Sequence, residues 1–541
     1  MKTQHGKRQF LGKISALLLC TGMSVILAAC YRPMLNYDPW KIPAGSQSGP
    51  LPGNGSAIST FASRAGTVGT PAPVNASPTP TLGATFTLAP QGPQPTPNQP
   101  AALPELRSEA YEYTVRSGDT LARIALNNQV SVKQIVDANE LKNPDLLNPN
   151  DKLIIPPATA NEPGPAFKLI PDSEVYYGPA VKGFDTRAVI QQFNAYLNAY
   201  SEELEDGSKL TGAQIVQRVA DDFSVNPRLL LAVLEFQSGW LTQANPAEAT
   251  LKFPMRWPDS NREGLYKQLS WAANELTRGF TLWGYRALAV WTLADSNVIR
   301  IDPTINAGTA GVQYLLGLLR NRDTWFNAVS EGGFIQTYRT LFGDPFAFTQ
   351  EPLLPEGLSQ PTLQLPFAPG DTWYFTGGPH WGWGTGSPYA SLDFAPSGEE
   401  LGCFESREPV TAMAAGEVVR SGNAQVVIDL DGDGSEQTGW TILYMHIATE
   451  GRVPAGTRVE PGDLIGYPSC EGGVSSGTHF HIARRYNGIW IEAGGSIPFT
   501  MDGWVAEGTG TVYDGYLVKD GNSVEAYNGR SEINQIGIQT R

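Results

Sequence analysis

Of the five histidines in this chain of 541 residues, His5 stands near the start and the other four, His380, His446, His479 and His481, fall in the last third. His479 and His481 flank Phe480 in a strand-like run, and the twofold period of a strand sets both imidazoles on one face. Such a pair can give one nitrogen to a metal and keep the other beside it. A hydrolytic zinc takes three protein ligands and leaves a fourth position for water, whose pKa falls to about 7. Two further histidines and one carboxylate complete that requirement, and Asp393 is the carboxylate at hand. These residue types point to metal-assisted hydrolysis with one zinc per chain.

The elements that must position them read as β-structure. From about Pro361 the sequence breaks into short runs separated by Gly and Pro, such as 416–420, 425–429 and 440–446. Helical periodicity is nearly absent, so an antiparallel all-β domain is expected over 361–541. Cys403 and Cys470 both lie here, and in an exported protein a disulfide between them is expected, against two free thiols. Asp429-Leu430-Asp431-Gly432-Asp433-Gly434 resembles the start of a calcium loop, but Trp440 holds the twelfth position where that loop uses glutamate. A tight hairpin turn is the reading preferred over Ca2+. Trp373, Tyr374, Trp381, Trp383 and Tyr389 either line a peptide groove or pack a small core.

Taken together, Gly477-Thr478-His479-Phe480-His481 and Leu443-Tyr444-Met445-His446 resemble two motifs of the lysostaphin-type and β-lytic zinc endopeptidases of bacterial cell walls. The commoner third motif has a histidine four residues before the aspartate, where this chain has Tyr389. The β-lytic branch spaces the two further apart, and His380, in Gly378-Pro379-His380-Trp381-Gly382-Trp383, precedes Asp393 by thirteen residues. The resemblance implies His380, Asp393 and His481 as zinc ligands, with His446 and His479 as the catalytic pair. The runs 513–518 and 523–527 also resemble that branch's closing hairpin.

The middle of the chain, residues 182–350, reads as mostly helical. Helices are expected over Ala188–Leu204, Gly212–Phe223, from Pro227 behind an Asn226 cap, Trp271–Leu276, Ala287–Ala294 and Ala310–Arg320. Residues 225–239 resemble the opening motif of lysozyme-like lytic transglycosylases, in which a catalytic glutamate directly precedes the serine. Gln237 holds that place here and cannot donate a carboxylic proton. Glu235 lies two positions earlier, about 200° around a helix, and reads as a solvated or capping residue. The expectation is a helical domain whose glycan chemistry has been lost.

Ahead of it, 111–157 reads as strand, helix, helix, strand. Tyr113-Thr114-Val115 with Gly118-Asp119-Thr120-Leu121, then Ile135, Asn139, Asn148-Pro149 and Leu153-Ile154-Ile155-Pro156, resembles a LysM domain. That resemblance implies binding to N-acetylglucosamine-containing glycans such as peptidoglycan. Residues 31–108 are rich in Pro, Ser and Thr and are expected to form an unfolded tether. Residues 1–30 have a basic head and an apolar run ending Leu27-Ala28-Ala29-Cys30, which resembles the lipobox of bacterial lipoproteins. The implied consequences are export, lipidation of Cys30 and a membrane-held chain.

The formal net charge of −15, with no clustered Lys and Arg, argues against nucleic acid as a partner. The sequence therefore reads as a multidomain α+β protein: signal, tether, βααβ module, helical domain and β peptidase domain. Its expected activity is zinc-dependent cleavage of stem or cross-bridge peptides in peptidoglycan. The alternative is a non-catalytic, wall-binding or regulatory lipoprotein.

Overall fold

A computed structural model describes residues 100–398 and 401–537. The signal segment, Cys30 and the tether up to residue 99 lie outside the described residues. No helix among those described is long and apolar enough to cross a membrane.

The first module comprises β1 (Tyr111–Thr114), α1 (Leu121–Asn127), α2 (Val132–Asn139) and β2 (Lys152–Ile155). The two strands pair antiparallel, with Tyr113 opposite Leu153. Thr120 caps α1, and Ser131 with Gln134 forms a capping box on α2, satisfying amides that the first turn of a helix leaves open. Leu121, Ile124, Ile135, Leu153 and Ile155 fill the small core. Asn139 locks α2 to β2: its Nδ2 donates to the Ile154 carbonyl and its Oδ1 accepts from the Ile154 amide, both at 2.7 Å.

The helical domain follows, with α3 (Thr186–Phe193), α4 (Gly212–Phe223), α5 (Pro227–Ser238), α6 (Leu265–Gly284), α7 (Ala307–Leu319) and α8 (Phe334–Phe342). Two sequence expectations need correction. The helix expected over 188–204 ends at Phe193, because Asn194 takes a left-handed φ of +47° and Ser201–Glu203 instead pairs with Lys209–Thr211. The helix expected over 287–294 is a strand, Val290–Thr292, hairpinned to Val298–Arg300. The apolar residues that suggested a helix there are buried on both sides of a strand, which periodicity alone cannot distinguish over so short a run.

The C-terminal domain is an antiparallel sheet built from β3 (Thr372–His380), β4 (Ser391–Pro396), β5 (Gly416–Gly422), β6 (Gln425–Asp429), β7 (Trp440–Met445), β8 (Arg458–Val459) and β9 (Phe480–Tyr486). A second, four-stranded sheet holds β10 (Thr500–Met501), β11 (Trp504–Gly508), β12 (Gly515–Lys519) and β13 (Asn522–Glu525), and β14 (Gln535–Gly537) returns to the first. The order across the main sheet is β8-β5-β6-β7-β9-β4-β3-β14.

Both faces of its central strands are covered. Val426, Ile428, Ile442, Tyr444 and Ile482 point into the core of the C-terminal domain. The alternate residues Val427, Leu443 and Ala483, with Ile489 and Trp490, join the core of the helical domain. This double burial explains why β6 and β7 read as continuous apolar runs, when a half-exposed antiparallel strand would alternate. Polar contacts close the seam at the end of α4. Ser224 Oγ donates to the Gly488 carbonyl at 2.6 Å and accepts from Arg485 Nη1 at 3.3 Å, and Gln425 Nε2 donates to Asp222 Oδ1 at 2.8 Å.

Candidate active site

Four neighbouring strands, β7, β9, β4 and β3, bring together every histidine that the C-terminal sequence carries. His380 ends β3, Asp393 sits in β4, His479 and His481 straddle the start of β9, and His446 directly follows β7. In the β4–β9 pair Asp393 lies straight across from His481. Gly377 faces Asp393 from β3, where a Cβ would stand 2.6 Å from the carboxylate Oδ2; glycine lets the backbone approach that closely.

His380 Nε2, His481 Nδ1 and Asp393 Oδ1 converge. The two nitrogens are 3.0 Å apart, and they lie 3.1 and 3.2 Å from the carboxylate oxygen. The tautomers follow from the outer contacts. His380 Nδ1 is 2.8 Å from the Gly378 carbonyl, and His481 Nε2 is 3.3 Å from that of Gly382. A carbonyl only accepts, so those nitrogens carry the protons and the inward pair carries bare lone pairs. Three acceptors then point at one spot with no donor among them, and Asp393 Oδ1 is buried without a hydrogen-bond partner. A cation resolves this arrangement. A tetrahedral zinc with bonds of about 2.0–2.1 Å spaces its ligand atoms about 3.3 Å apart, close to the three separations here. The residues present fit the ion.

His446 and His479 stand beside the triad with ring centroids 4.5 Å apart. Each Nδ1 lies 2.8 Å from a backbone carbonyl, Glu471 for His446 and Gly477 for His479. Each therefore keeps Nε2 as its basic nitrogen. His446 adopts a left-handed φ of +62°, unusual for a residue with a side chain. The turn is held by Ser469, whose amide donates to the His446 carbonyl at 2.7 Å and whose hydroxyl donates to it at 3.0 Å. Burial, and then the neighbouring His479, pushes the His446 imidazole down to about 3, so it is neutral near pH 7.

Further contacts were not legible in the sequence. The ring of Tyr513 stacks on His380 at 4.3 Å between centroids, although the sequence marked it only as the start of a hairpin. The Glu471 carbonyl is equally silent, since any residue supplies a backbone oxygen. Cys403 and Cys470 are joined as a disulfide, 67 residues apart in sequence, immediately before Glu471.

Four of the five aromatic residues singled out in this region pack against neighbours. Trp373 is fully buried, Trp381 and Tyr389 cluster with Val512, and Trp383 meets Phe223 of α4 edge-on at 6.3 Å. Asp429, Asp431 and Asp433 lie within 4.8 Å of one another, yet they form a turn that satisfies itself. Asp429 accepts from the amides of Asp431 and Gly434, and Asp433 pairs with Lys182 at 2.5 Å. In the helical domain Glu235 caps the following turn through the amides of Leu241 and Thr242, and Gln237 is buried.

Three family models match the chain. They are the LysM domain at residues 113–156, the LasA N-terminal domain at 168–354 and peptidase family M23 at 397–493. The second is a family that the short resemblance at 225–239 did not indicate. The third spans His446, His479 and His481, and begins after His380 and Asp393. Protease LasA of Pseudomonas aeruginosa strain UCBPP-PA14 is 28% identical over 354 residues, covering 61% of this chain and 77% of the relative. The beta-lytic metalloendopeptidase of Lysobacter enzymogenes is 29% identical over 184 residues, covering 31% of this chain and 93% of the relative. The solved M23 metalloprotease pseudoalterin, of deep-sea origin, is 27% identical, with 31% of this chain and 97% of that chain covered and a TM-score of 0.26. The chain thus carries a LysM domain, a LasA N-terminal domain and an M23 peptidase domain, and it is related to protease LasA and the beta-lytic metalloendopeptidases.

Proposed function

We propose that this chain is a zinc-dependent endopeptidase that hydrolyses stem or cross-bridge peptide bonds of peptidoglycan. His380, Asp393 and His481 hold the ion, the LysM domain keeps the enzyme on wall glycan, and a lipid on Cys30 keeps it at a membrane. The observation that carries the reading is the convergence of three bare acceptor atoms in a buried spot, Asp393 Oδ1 among them without a partner.

Zinc bound there would act as a Lewis acid on the scissile carbonyl and make water a nucleophile near neutral pH. The chain's own residues do the rest. His446 and His479 keep Nε2 unprotonated, and either can take the proton of the attacking water and return one to the leaving amine. Once it has taken that proton, the imidazole can donate from Nε2 to the developing oxyanion before passing the proton to the leaving amine. The Gly378 and Gly382 carbonyls fix the orientation of the ligand rings.

The test uses the full chain, with zinc counted by elemental analysis and new amino termini counted after digestion of purified peptidoglycan. About one zinc per chain with amine release is expected. A chain that takes up no zinc on addition and releases no amine would be a wall-binding protein instead.

A further inference from the structure

The motif that the peptidase reading leaves unused lies at the end of α5. Gln237 is only 2% exposed, and its Oε1 accepts from Arg320 Nη2 at 2.7 Å, which fixes the amide's orientation. Its Nε2 is then a buried donor without a partner, and so is Arg320 Nη1. Arg256 completes the group: its Nε donates to the Gln237 carbonyl. Its backbone φ of +59° is one that few residues with side chains adopt.

No carboxylate among the described residues pairs with either guanidinium. Glu235, the nearest in sequence, spends its oxygens on the amides of Leu241 and Thr242 and on the Thr242 hydroxyl. Arg320 is pushed down to about 10 by burial and by the charge of Arg256, the cost expected for two close cations with no anion. The Arg320 guanidinium lies 4.8 Å from the centroid of the Phe236 ring, which holds it in place without neutralising it. Buried donors and cations left unpaired are costly, and a planar guanidinium matches an oxyanion in two-point geometry. Arg256 is exposed, which leaves the group a way to solvent. Trp257, next along the chain, stacks on Trp271 at 4.8 Å and 16°.

We propose that Gln237, Arg256 and Arg320 form an oxyanion-binding site in the helical domain, filled by a carboxylate of the wall or by a phosphate. The donors are Gln237 Nε2, Arg320 Nη1 and the outer nitrogens of Arg256. Glutamate at position 237 would fill the site from within by pairing with Arg320, so glutamine is what keeps it open. Oxyanion binding stands apart from the catalytic reading; only the choice of a wall carboxylate rests on it.

The experiment is calorimetric titration of the full chain with N-acetylmuramic acid, with inorganic phosphate, and with the methyl ester of N-acetylmuramic acid as the same sugar without the charged carboxylate. N-acetylmuramic acid or phosphate should bind at least tenfold tighter than the ester. That preference should vanish in Gln237→Glu and in Arg320→Met, while the far-ultraviolet circular dichroism of Gln237→Glu stays as in the parent chain and shows that it folds. Preference for N-acetylmuramic acid assigns the site to wall carboxylates, and preference for phosphate assigns it to phosphate-bearing polymers. Equal binding of all three probes, or a preference retained in Gln237→Glu, overturns the proposal. Neither result bears on zinc content or amine release, so failure here is distinct from failure of the peptidase reading.

Discussion

Asp393 and His481 are direct cross-strand partners, and the aspartate Oδ1 lies 3.2 Å from the histidine Nδ1. Two strands therefore deliver two of the three proposed metal ligands by register alone. The consequence is a clean division between ligand and base. His481→Ala should lose zinc and all amine release together. His446→Ala, whose ring is outside the triad, should keep about one zinc per chain and lose activity by about 10²–10⁴-fold. Elemental analysis beside an amine assay distinguishes them, and parallel zinc loss in both variants would remove His446 from its separate role.

Glu471 supports His446 twice. Its backbone carbonyl accepts from the imidazole, and its carboxylate receives the Thr449 amide at 2.9 and 3.0 Å and the Thr449 hydroxyl at 2.6 Å. Glu471→Ala should free the 446–449 turn and lower kcat about tenfold, with KM and zinc content unchanged. Glu471→Gln, which can still accept from Thr449, should recover most of the loss. A KM effect of the same size would mean that the carboxylate contacts substrate instead.

The seam between the domains should respond to pH through Asp221. Burial pushes its carboxyl up, Glu436 beside it pushes further, and the result is about 7 against an ordinary 3.8. Between those limits the folded chain binds more protons than the unfolded one. Stability therefore falls as pH rises from about 4 to about 7, and the penalty is complete above that. Asp221→Asn should raise Tm by about 2–4 °C at pH 8 and leave it unchanged at pH 4. Glu436 has the opposite sign. Burial pushes it up, but Arg420 and Arg485 outweigh that and hold it down to about 2, so its contribution is full above its ordinary 4.5 and is lost as pH falls towards 2. Melting curves at the two pH values decide the matter, and an equal gain at both would remove the charge on Asp221 as the cause.

Asn139 joins α2 to β2 through two hydrogen bonds to Ile154 that no alanine can replace. Asn139→Ala should destabilise the LysM domain by about 1–3 kcal/mol and weaken pelleting of the full chain with peptidoglycan. Activity on a soluble peptide should not change. Unaltered pelleting would shift wall binding to another part of the chain.

Much of this protein was legible in the sequence because its signals are local. Ser131 followed by Gln134, Asn226 followed by Pro227, and the alternation around His479 and His481 each depend on near neighbours. The antiparallel sheet, the helical middle and the βααβ module followed from such signals, whereas the five residues proposed for the site came from the resemblance of whole motifs. Asn194 ended a helix early, and 287–294 became a strand, because a left-handed turn and a pairing with Val298–Arg300 outweigh local preference. Only the tertiary structure set β7, β9, β4 and β3 side by side, and with them the meeting of Asp393 with two histidines distant in sequence. It alone decided that Tyr513 stacks on His380 and that the Glu471 carbonyl orients His446. The same holds for the union of helical and peptidase domains through one core. Chain-distant pairing depends on strand order and backbone atoms, which every residue shares, so the amino-acid types alone could not carry it.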